Sequence, residues 1–275
     1  MTIRDALLSD TVSRGDAEIL LADLLQRDRT WILAHEMEAI PAELEAMATD
    51  WMQRRSRGEP VAYITGKKEF FGRMFSVDPS VLIPRPATEQ LVALALDILS
   101  GKEKAQKVCR EIDNDIVAYA CMQGDMSGLR TVADIGTGSG CIAVTLACER
   151  PDLRIIATDT SESALKIAEE NATQFSVADR IFFQQGRGLE PLEDLVEPFL
   201  IVSNPPYIPL RTTLERDVQD FEPDEALFGG GEGSEVIDAI VTAAAKHPFC
   251  RGWVIECMAS QAKNGIERGR GKGIT

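Results

Sequence analysis

The sequence predicts an α/β protein: a doubly wound, mainly parallel sheet preceded by a small helical domain. Strand-like apolar runs (TVADIG, RIIATD, IFFQQG, FLIVSN and GWVIEC) alternate with helical stretches such as CIAVTLACER and SALKIAEENA. That alternation builds a parallel sheet covered on both faces. Residues 1 to about 60 carry only helical patterns, and 275 residues at 44% hydrophobic composition suffice for one large core and a second, smaller unit.

Taken in order, Ala17, Leu20, Leu21, Leu24 and Leu25 share one helical face, and Leu44, Met47, Trp51 and Met52 form a second stripe. In EFFGRMFSVDPSVLIPRP, aromatic and β-branched residues flank a turn at Asp78 to Ser80, which predicts a hairpin bridging the two domains. A helix follows with Leu91, Leu94, Ala95 and Ile98 as its apolar face. From Gly101 to Leu129 the chain turns polar, yet Val108, Ile112, Ile116 and Tyr119 keep a helical rhythm, so an inserted helix is expected. The sheet then begins at TVADIG, and its ligands belong beyond the carboxyl ends of the strands. The ending GRGKGIT has no apolar pattern and is expected to be disordered.

Composition removes several function classes. With 44 acids against 29 bases and a net charge of -15, a wide nucleic-acid footprint is not expected. The opening MTIRDALLSDTVSRGDAEIL has neither the apolar segment of a signal peptide nor the acid-poor character of a transit peptide, and no apolar run is long enough to span a bilayer. Cytoplasm is the expectation. The six cysteines include no C-x-x-C pair and only His35 and His247 could supplement them, so no metal site is expected.

Two motifs carry chemistry. ADIGTGSGCIAV places Gly136, Gly138 and Gly140, with Thr137 and Ser139 between them, at a strand-to-helix entry. Glycines there let a ligand approach the backbone, and the helix start supplies free N–H groups. The dinucleotide fingerprint G-x-G-x-x-G wants a glycine where this chain has Cys141. Asp159, ending the next strand, is placed to accept hydrogen bonds from ribose hydroxyls, and Asp134 beside the loop would favour a cationic ligand such as S-adenosylmethionine. The alternative is purely structural, with the glycines making a tight turn and Asp159 capping a helix near Ser161.

The second motif is Asn204-Pro205-Pro206-Tyr207, closing the apolar run FLIVS. An amide or exocyclic amine nitrogen is a poor nucleophile that has N–H groups to be held. The Asn204 side-chain oxygen can accept one and the Pro205 carbonyl another, orienting the nitrogen and favouring the positive charge that develops on it. The prolines fix φ twice and add no competing N–H, and Tyr207 offers a flat face for a planar group.

Together these motifs resemble the S-adenosylmethionine-dependent amino-methyltransferases. The blocks GEPVAYITGKKEFFG, VLIPRPATE, DIGTGSG, IVSNPPYIP and DVQDFEPDEALFGG, in that order, are similar to the HemK/PrmC family of release-factor glutamine N5-methyltransferases over residues 1 to about 258. The resemblance implies a Rossmann-like class I methyltransferase domain over 74–275 and a helical substrate-recognition domain over 1–73 that includes the start of the hairpin. It implies cofactor contacts at Asp134, Gly136 to Gly140, Asp159, Gly188 and Asn204. It implies catalysis by Asn204, Pro205 and Tyr207, and substrate contacts from Asn204 to Tyr207, Phe70, Phe71 and Arg85. The implied substrate is the glutamine of a Gly-Gly-Gln loop in class 1 peptide-chain release factors, acted on by a monomer.

The chain departs from the family pattern at three places. Ala87 replaces a glutamate in IPRPATE; QQGRGLEPL has Arg187 and Gly188 where an acid and an aromatic residue are usual; and after VIEC the family's further helix and two strands have no counterpart in MASQAKNGIERGRGKGIT. An uncovered sheet edge, low stability and self-association are therefore expected. Two rival functions stay open: a cofactor- or release-factor-binding protein with impaired catalysis, and a methyltransferase acting on exocyclic amines of DNA or RNA.

Overall fold

The computed structural model describes residues 1–8, 11–113 and 115–262, which leaves the GRGKGIT ending outside the described residues. They form two compact units, Met1–Lys67 with Thr213–Glu222, and Lys68–Thr212 with Pro223 onward. The first unit holds α1 (Ile3–Leu7), α2 (Arg14–Leu25), α3 (Arg29–Ala34), α4 (Ala42–Ser56) and α5 (Val61–Thr65). Each of the first three starts on a side-chain cap. Thr2, Ser13 and Asp28 accept from the backbone N–H three residues on, which satisfies a donor the helix itself leaves open. Ala17, Leu21 and Leu24 pack with Ile3, Leu7, Ile32 and Ala48 in its core. Met47 departs from the expected stripe, being 47% exposed.

The second unit begins within β1 (Lys67–Phe70) and continues with β2 (Arg73–Ser76) and α6 (Pro86–Leu99). The hairpin turn lies at Phe71–Gly72, not at Asp78–Ser80 as expected. Both turn residues are left-handed, φ 52° and 72°, the conformation whose twist suits a two-residue hairpin. Asp78 instead closes a local turn by accepting from Ser80 N at 2.9 Å.

The central sheet contains β3 (Lys107–Asp113), β4 (Ile116–Met122), β5 (Thr131–Ile135), β6 (Arg154–Asp159), β7 (Ile181–Gln185), β8 (Phe199–Ser203) and, last among the described residues, Cys250–Met258, in the spatial order β3-β4-(250–258)-β8-β5-β6-β7. The helices between them are α7 (Cys141–Glu149) and α8 (Glu162–Gln174). After β8 come β9 (Ile208–Pro209), α9 (Arg216–Gln219, in the first unit), α10 (Asp224–Leu227), β10 (Phe228–Gly230) and α11 (Glu235–Lys246), so the strand at Cys250–Met258 is β11. Five neighbouring strands, β11 to β7, run parallel. One face of the sheet is covered by Leu91, Leu94 and Ile98 of α6 with Ile142 and Leu146 of α7, the other by Ile240 and Ala244 of α11. The doubly wound expectation is thus met. Among the described residues no helix is long and apolar enough to cross a membrane.

The inserted helix expected over 101–129 is a β-hairpin. Val108, Ile112 and Ile116 are spaced by four, close to one helical turn but also two strand repeats, so the rhythm fits both. Exposure alternates residue by residue along β3, while β4 is almost continuously buried, as a strand covered on both faces should be. β4 pairs antiparallel with β11 from Met122–Gly252 to Ile116–Met258. This overturns the expected uncovered edge: β4 occupies it, and the outer strand β3 carries Lys107, Arg110, Glu111 and Asp113, charges that discourage further strand addition. Val117 is 4% exposed and packs with Tyr119 and Cys257. We expect Val117→Ala to cost about 1.6 kcal/mol in denaturant unfolding, from two buried carbon groups at about 0.8 kcal/mol each. Stability equal to the parent would show that the hairpin is not part of the cooperative unit.

Candidate active site

The strand order reverses direction between β5 and β8, and in open α/β sheets such a switch point leaves a crevice at the carboxyl ends. The glycine loop leaves β5 there and Asn204 to Tyr207 leave β8. A buried hydrogen bond, Ser203 Oγ donating to the Ile135 carbonyl at 2.6 Å, ties the two strand ends together.

Within the loop, Gly136 N and Thr137 N both donate to the Thr158 carbonyl, at 2.8 and 2.9 Å, which fastens it to the end of β6. Gly136, Gly138 and Gly140 all have positive φ. A Cβ on Gly140 would sit 3.0 Å from Ala168 Cβ, so this glycine also lets α7 approach α8; above Gly136 and Gly138 the space is open within 4 Å. Ser139 is buried, and its carbonyl accepts from Asn171 Nδ2 at 2.8 Å.

Asp134 lies beneath the loop with no exposed surface. Its Oδ2 accepts from Thr137 Oγ1 at 2.7 Å and from Ala143 N at 3.1 Å, while Oδ1 has no hydrogen-bond partner among the described residues. Loss of solvation pushes its pKa up to about 7, against the pull of those two donors. Asp159 holds the loop from the other side: Oδ2 accepts from Gly138 N and Oδ1 from Ser161 N, both at 2.9 Å. The cap of α8 is Ser161, which accepts from Ala164 N, and not Asp159. Gly186 N donates to the Asp159 carbonyl at 3.0 Å, so the turn carrying Arg187 and Gly188 adjoins this acid.

On the β8 side, Asn204 Nδ2 donates to Thr88 Oγ1 at 3.0 Å. Pro205 is buried, and Pro206 and Tyr207 are partly exposed. The Tyr207 hydroxyl donates to Glu256 Oε1 at 3.2 Å and its carbonyl accepts from Gln261 Nε2 at 2.9 Å. Burial and the Glu256 carboxylate both hold the phenol proton on. β10 runs parallel beside β9, pressing FGG against the backbone that follows Tyr207. Burial raises the pKa of Glu256, and the charge of Arg85, at the N-cap of α6, pulls against burial at both Tyr207 and Glu256.

Phe70 is a correction. It is fully buried, with its ring edge-on to Phe75 at 6.0 Å, so it serves the core and has no surface with which to line a pocket. Phe71 is partly exposed, its N–H donating to Glu89 Oε1 at 2.9 Å. Thr88, Glu256 and Gln261 were not foreseen. The signal for Glu256 was present in the sequence, an acid inside the apolar run GWVIEC, where a charge survives only if something nearby needs it.

Residues 5–66 match the family model described as the PrmC N-terminal domain, and residues 119–232 match the methyltransferase small domain. Curated relatives named release factor glutamine methyltransferase include one from Koribacter versatilis, 36% identical over 90% of this chain and 80% of its own. The chain belongs to the release factor glutamine methyltransferase family. A second member, from Nitratidesulfovibrio vulgaris, is 40% identical over 85% of this chain and 71% of its own. The N-terminal domain of human METTL16, solved in complex with SAH, superposes with a TM-score of 0.52 at 17% identity, covering 85% of this chain and 86% of that one. At that identity the likeness shows the shared class I methyltransferase fold. In this member of the release factor glutamine methyltransferase family, the blocks IPRPATE, NPPYIP and DEALFGG adjoin one another: Asn204 bonds Thr88, and the Pro206 carbonyl oxygen lies where a Cβ on Gly229 would have to go.

Proposed function

We propose that this chain methylates the side-chain amide nitrogen N5 of the glutamine in the Gly-Gly-Gln loop of class 1 peptide-chain release factors, as a cytoplasmic monomer, using S-adenosyl-L-methionine. The observation that carries the reading is the placement of Asn204 to Tyr207 at the switch point, tied to the glycine loop through Ser203 and Ile135. The residues present fit the cofactor: the loop backbone is open above Gly136 and Gly138, and beneath it lies a buried carboxyl with one unpaired oxygen. When bound, that group supplies an electrophilic methyl on a cationic sulfur. Asp134 would provide a negative field for it, Asp159 would exchange its hold on Gly138 for the ribose hydroxyls, and Gly188 would border the adenine. The Asn204 side-chain oxygen and the Pro205 carbonyl would each accept one N–H of the glutamine amide, holding its nitrogen in line and favouring the charge it gains. Tyr207 would support the amide plane. The helical unit, Met1–Lys67, would grip the release factor.

The test is calorimetric titration with S-adenosyl-L-methionine, followed by mass analysis of a release factor incubated with both. One methyl on the Gly-Gly-Gln glutamine, and none on DNA or RNA, is the expected result. Cofactor binding without methylation would make the chain a binder.

Asp134 adds a pH dependence. Its pKa rises from 3.8 to about 7 on folding, so between those values the folded protein holds a proton that the unfolded chain has released. The stability contributed by this group is therefore full below about pH 4 and lost as pH rises to about 7. A cationic ligand reverses the preference by favouring the carboxylate. Cofactor affinity is accordingly expected to rise severalfold between about pH 6 and about pH 8, as the carboxyl goes from mostly protonated to mostly ionised. In Asp134→Asn the calorimetric profile should flatten; an identical slope in parent and variant would assign the effect elsewhere.

A further inference from the structure

The buried face of α8 carries a polar side chain. Leu165, Ala168 and Ala172 make that face apolar, and Asn171 lies among them with no exposed surface. A polar group there costs free energy unless its hydrogen bonds are made, and asparagine is a weak helix former as well. Asn171 makes three bonds. Oδ1 accepts from Ser76 N at 2.8 Å, and Nδ2 donates to the Ser76 carbonyl at 3.0 Å and to the Ser139 carbonyl at 2.8 Å. The amide pairs with both backbone groups of Ser76, as a neighbouring strand would, and gives its other hydrogen to the glycine loop. The Ser139 carbonyl and the Gly140 N–H belong to one planar peptide group and point in opposite directions. Gly140 N donates to the Thr137 carbonyl at 2.8 Å, so this plane is held at one end from inside the loop and at the other from α8. Gly140 has φ 77° and no side chain to resist rotation of the plane. The docking of β2 on α8 has other support: Gln174 Nε2 donates to the Met74 carbonyl at 2.9 Å, and the Phe75 and Phe175 rings lie 5.1 Å apart. What Asn171 adds is the connection to Ser139.

We infer that Asn171 is a positioning residue for the cofactor: by joining Ser76 to Ser139 it keeps the glycine loop in the conformation that receives S-adenosyl-L-methionine. This deepens the proposed function and rests on its reading of the glycine loop as the place where the cofactor binds. Without Asn171, of the two bonds that hold the 139–140 peptide only the one to Thr137 remains, and the loop divides its time between the competent conformation and others. A site that is competent for only part of the time binds more weakly in proportion to the missing population, whereas cofactor at saturation restores the competent form. Loss of Asn171 therefore falls on cofactor affinity and far less on kcat.

The test compares the full chain with Asn171→Ala and Asn171→Asp. The aspartate is nearly isosteric and keeps an acceptor for Ser76 N, but it sets oxygen against the two carbonyls where the parent has donors. Val117→Ala, on β4 and three strands along the sheet from β5, is the control for a general loss of stability. In calorimetry at a temperature where the proteins are folded, both Asn171 variants should bind S-adenosyl-L-methionine roughly 10- to 100-fold more weakly, as when the competent population falls to about 1–10%. Their kcat on a release factor at saturating cofactor should stay within about threefold of the parent. Val117→Ala should melt lower and bind like the parent. In cofactor-free 15N-labelled protein, the Gly138 and Gly140 amide signals should broaden by exchange in the Asn171 variants and sharpen when cofactor is added. The parent supplies a reading of its own: its Asn171 NH2 resonances, assigned through bonds, should shift on cofactor binding. Parent-like affinity in folded Asn171→Asp, an equal loss in Val117→Ala, or Asn171 resonances unmoved by bound cofactor would overturn the inference. If the parent binds no cofactor, the functional reading fails on its own, and the Gly138 and Gly140 signals of the cofactor-free proteins still decide whether Asn171 holds the loop.

Discussion

Asn204→Ala is expected to lower turnover about 10²- to 10³-fold while leaving the fold intact, the loss usual for removing one oriented electrostatic group. The side chain is partly exposed at the end of β8 and bonds through its nitrogen to Thr88, so truncation removes the acceptor without opening the apolar core. Asn204→Asp is the sharper comparison. The aspartate keeps an acceptor oxygen, so part of the turnover should survive. That part should fall short of the parent, because a carboxylate cannot donate to Thr88 and stands as a second acid beside Glu256. Single-turnover methylation of a release factor, read by mass, separates the two variants. Wild-type rates in Asn204→Ala would remove Asn204 from the chemistry.

Gly229→Ala is expected to lower kcat about 10- to 100-fold with cofactor affinity unchanged. A Cβ at this position would overlap the carbonyl oxygens of Pro206 and Gly233, both of them backbone atoms that cannot rotate away. The added methyl must push the chain from Pro206 to Tyr207 outward, and displacements on the order of 1 Å in positioning groups can cost about 10²-fold. The glycine loop follows β5 and is not touched, which is why binding should hold. Gly231→Ala is the control, since its Cβ would meet only Glu235 Oε1, at 3.4 Å. Calorimetry with S-adenosyl-L-methionine beside the methylation rate gives both halves. Equal rates in the two variants would show that DEALFGG does not hold the NPPY backbone in place.

The parallel part of the sheet was legible because each of its strands is a compact apolar run bounded by glycine, proline or polar residues. The hairpin at 107–122 was not, since a four-residue spacing satisfies helix and strand alike and only the long-range pairing of β4 with β11 decides between them. The β1–β2 turn was misplaced because Phe71 adopts φ 52°, which a bulky residue rarely does, whereas Asp78 and Ser80 look like a turn and make a smaller one. The glycine loop and NPPY could be read because each is contiguous. The residues that hold them could not: Thr88 lies 116 positions from Asn204, Glu256 lies 49 from Tyr207, and Gln261 lies 54 from it.

The pairing of β4 with β11 also governs the order in which the chain can fold as it is made. β4 is synthesised before β5, yet its inner neighbour is β11, which follows every other strand among the described residues. Until residues 250–258 emerge, an almost wholly apolar strand has a partner on one side only, β3, and its other edge stays open to any passing extended segment. Pairings between distant segments are slow to form, and unpaired edges invite aggregation in the interval. A ribosome stalled shortly before Cys250 would therefore carry a nascent chain with its glycine loop and NPPY segment already made and its most adhesive edge still bare.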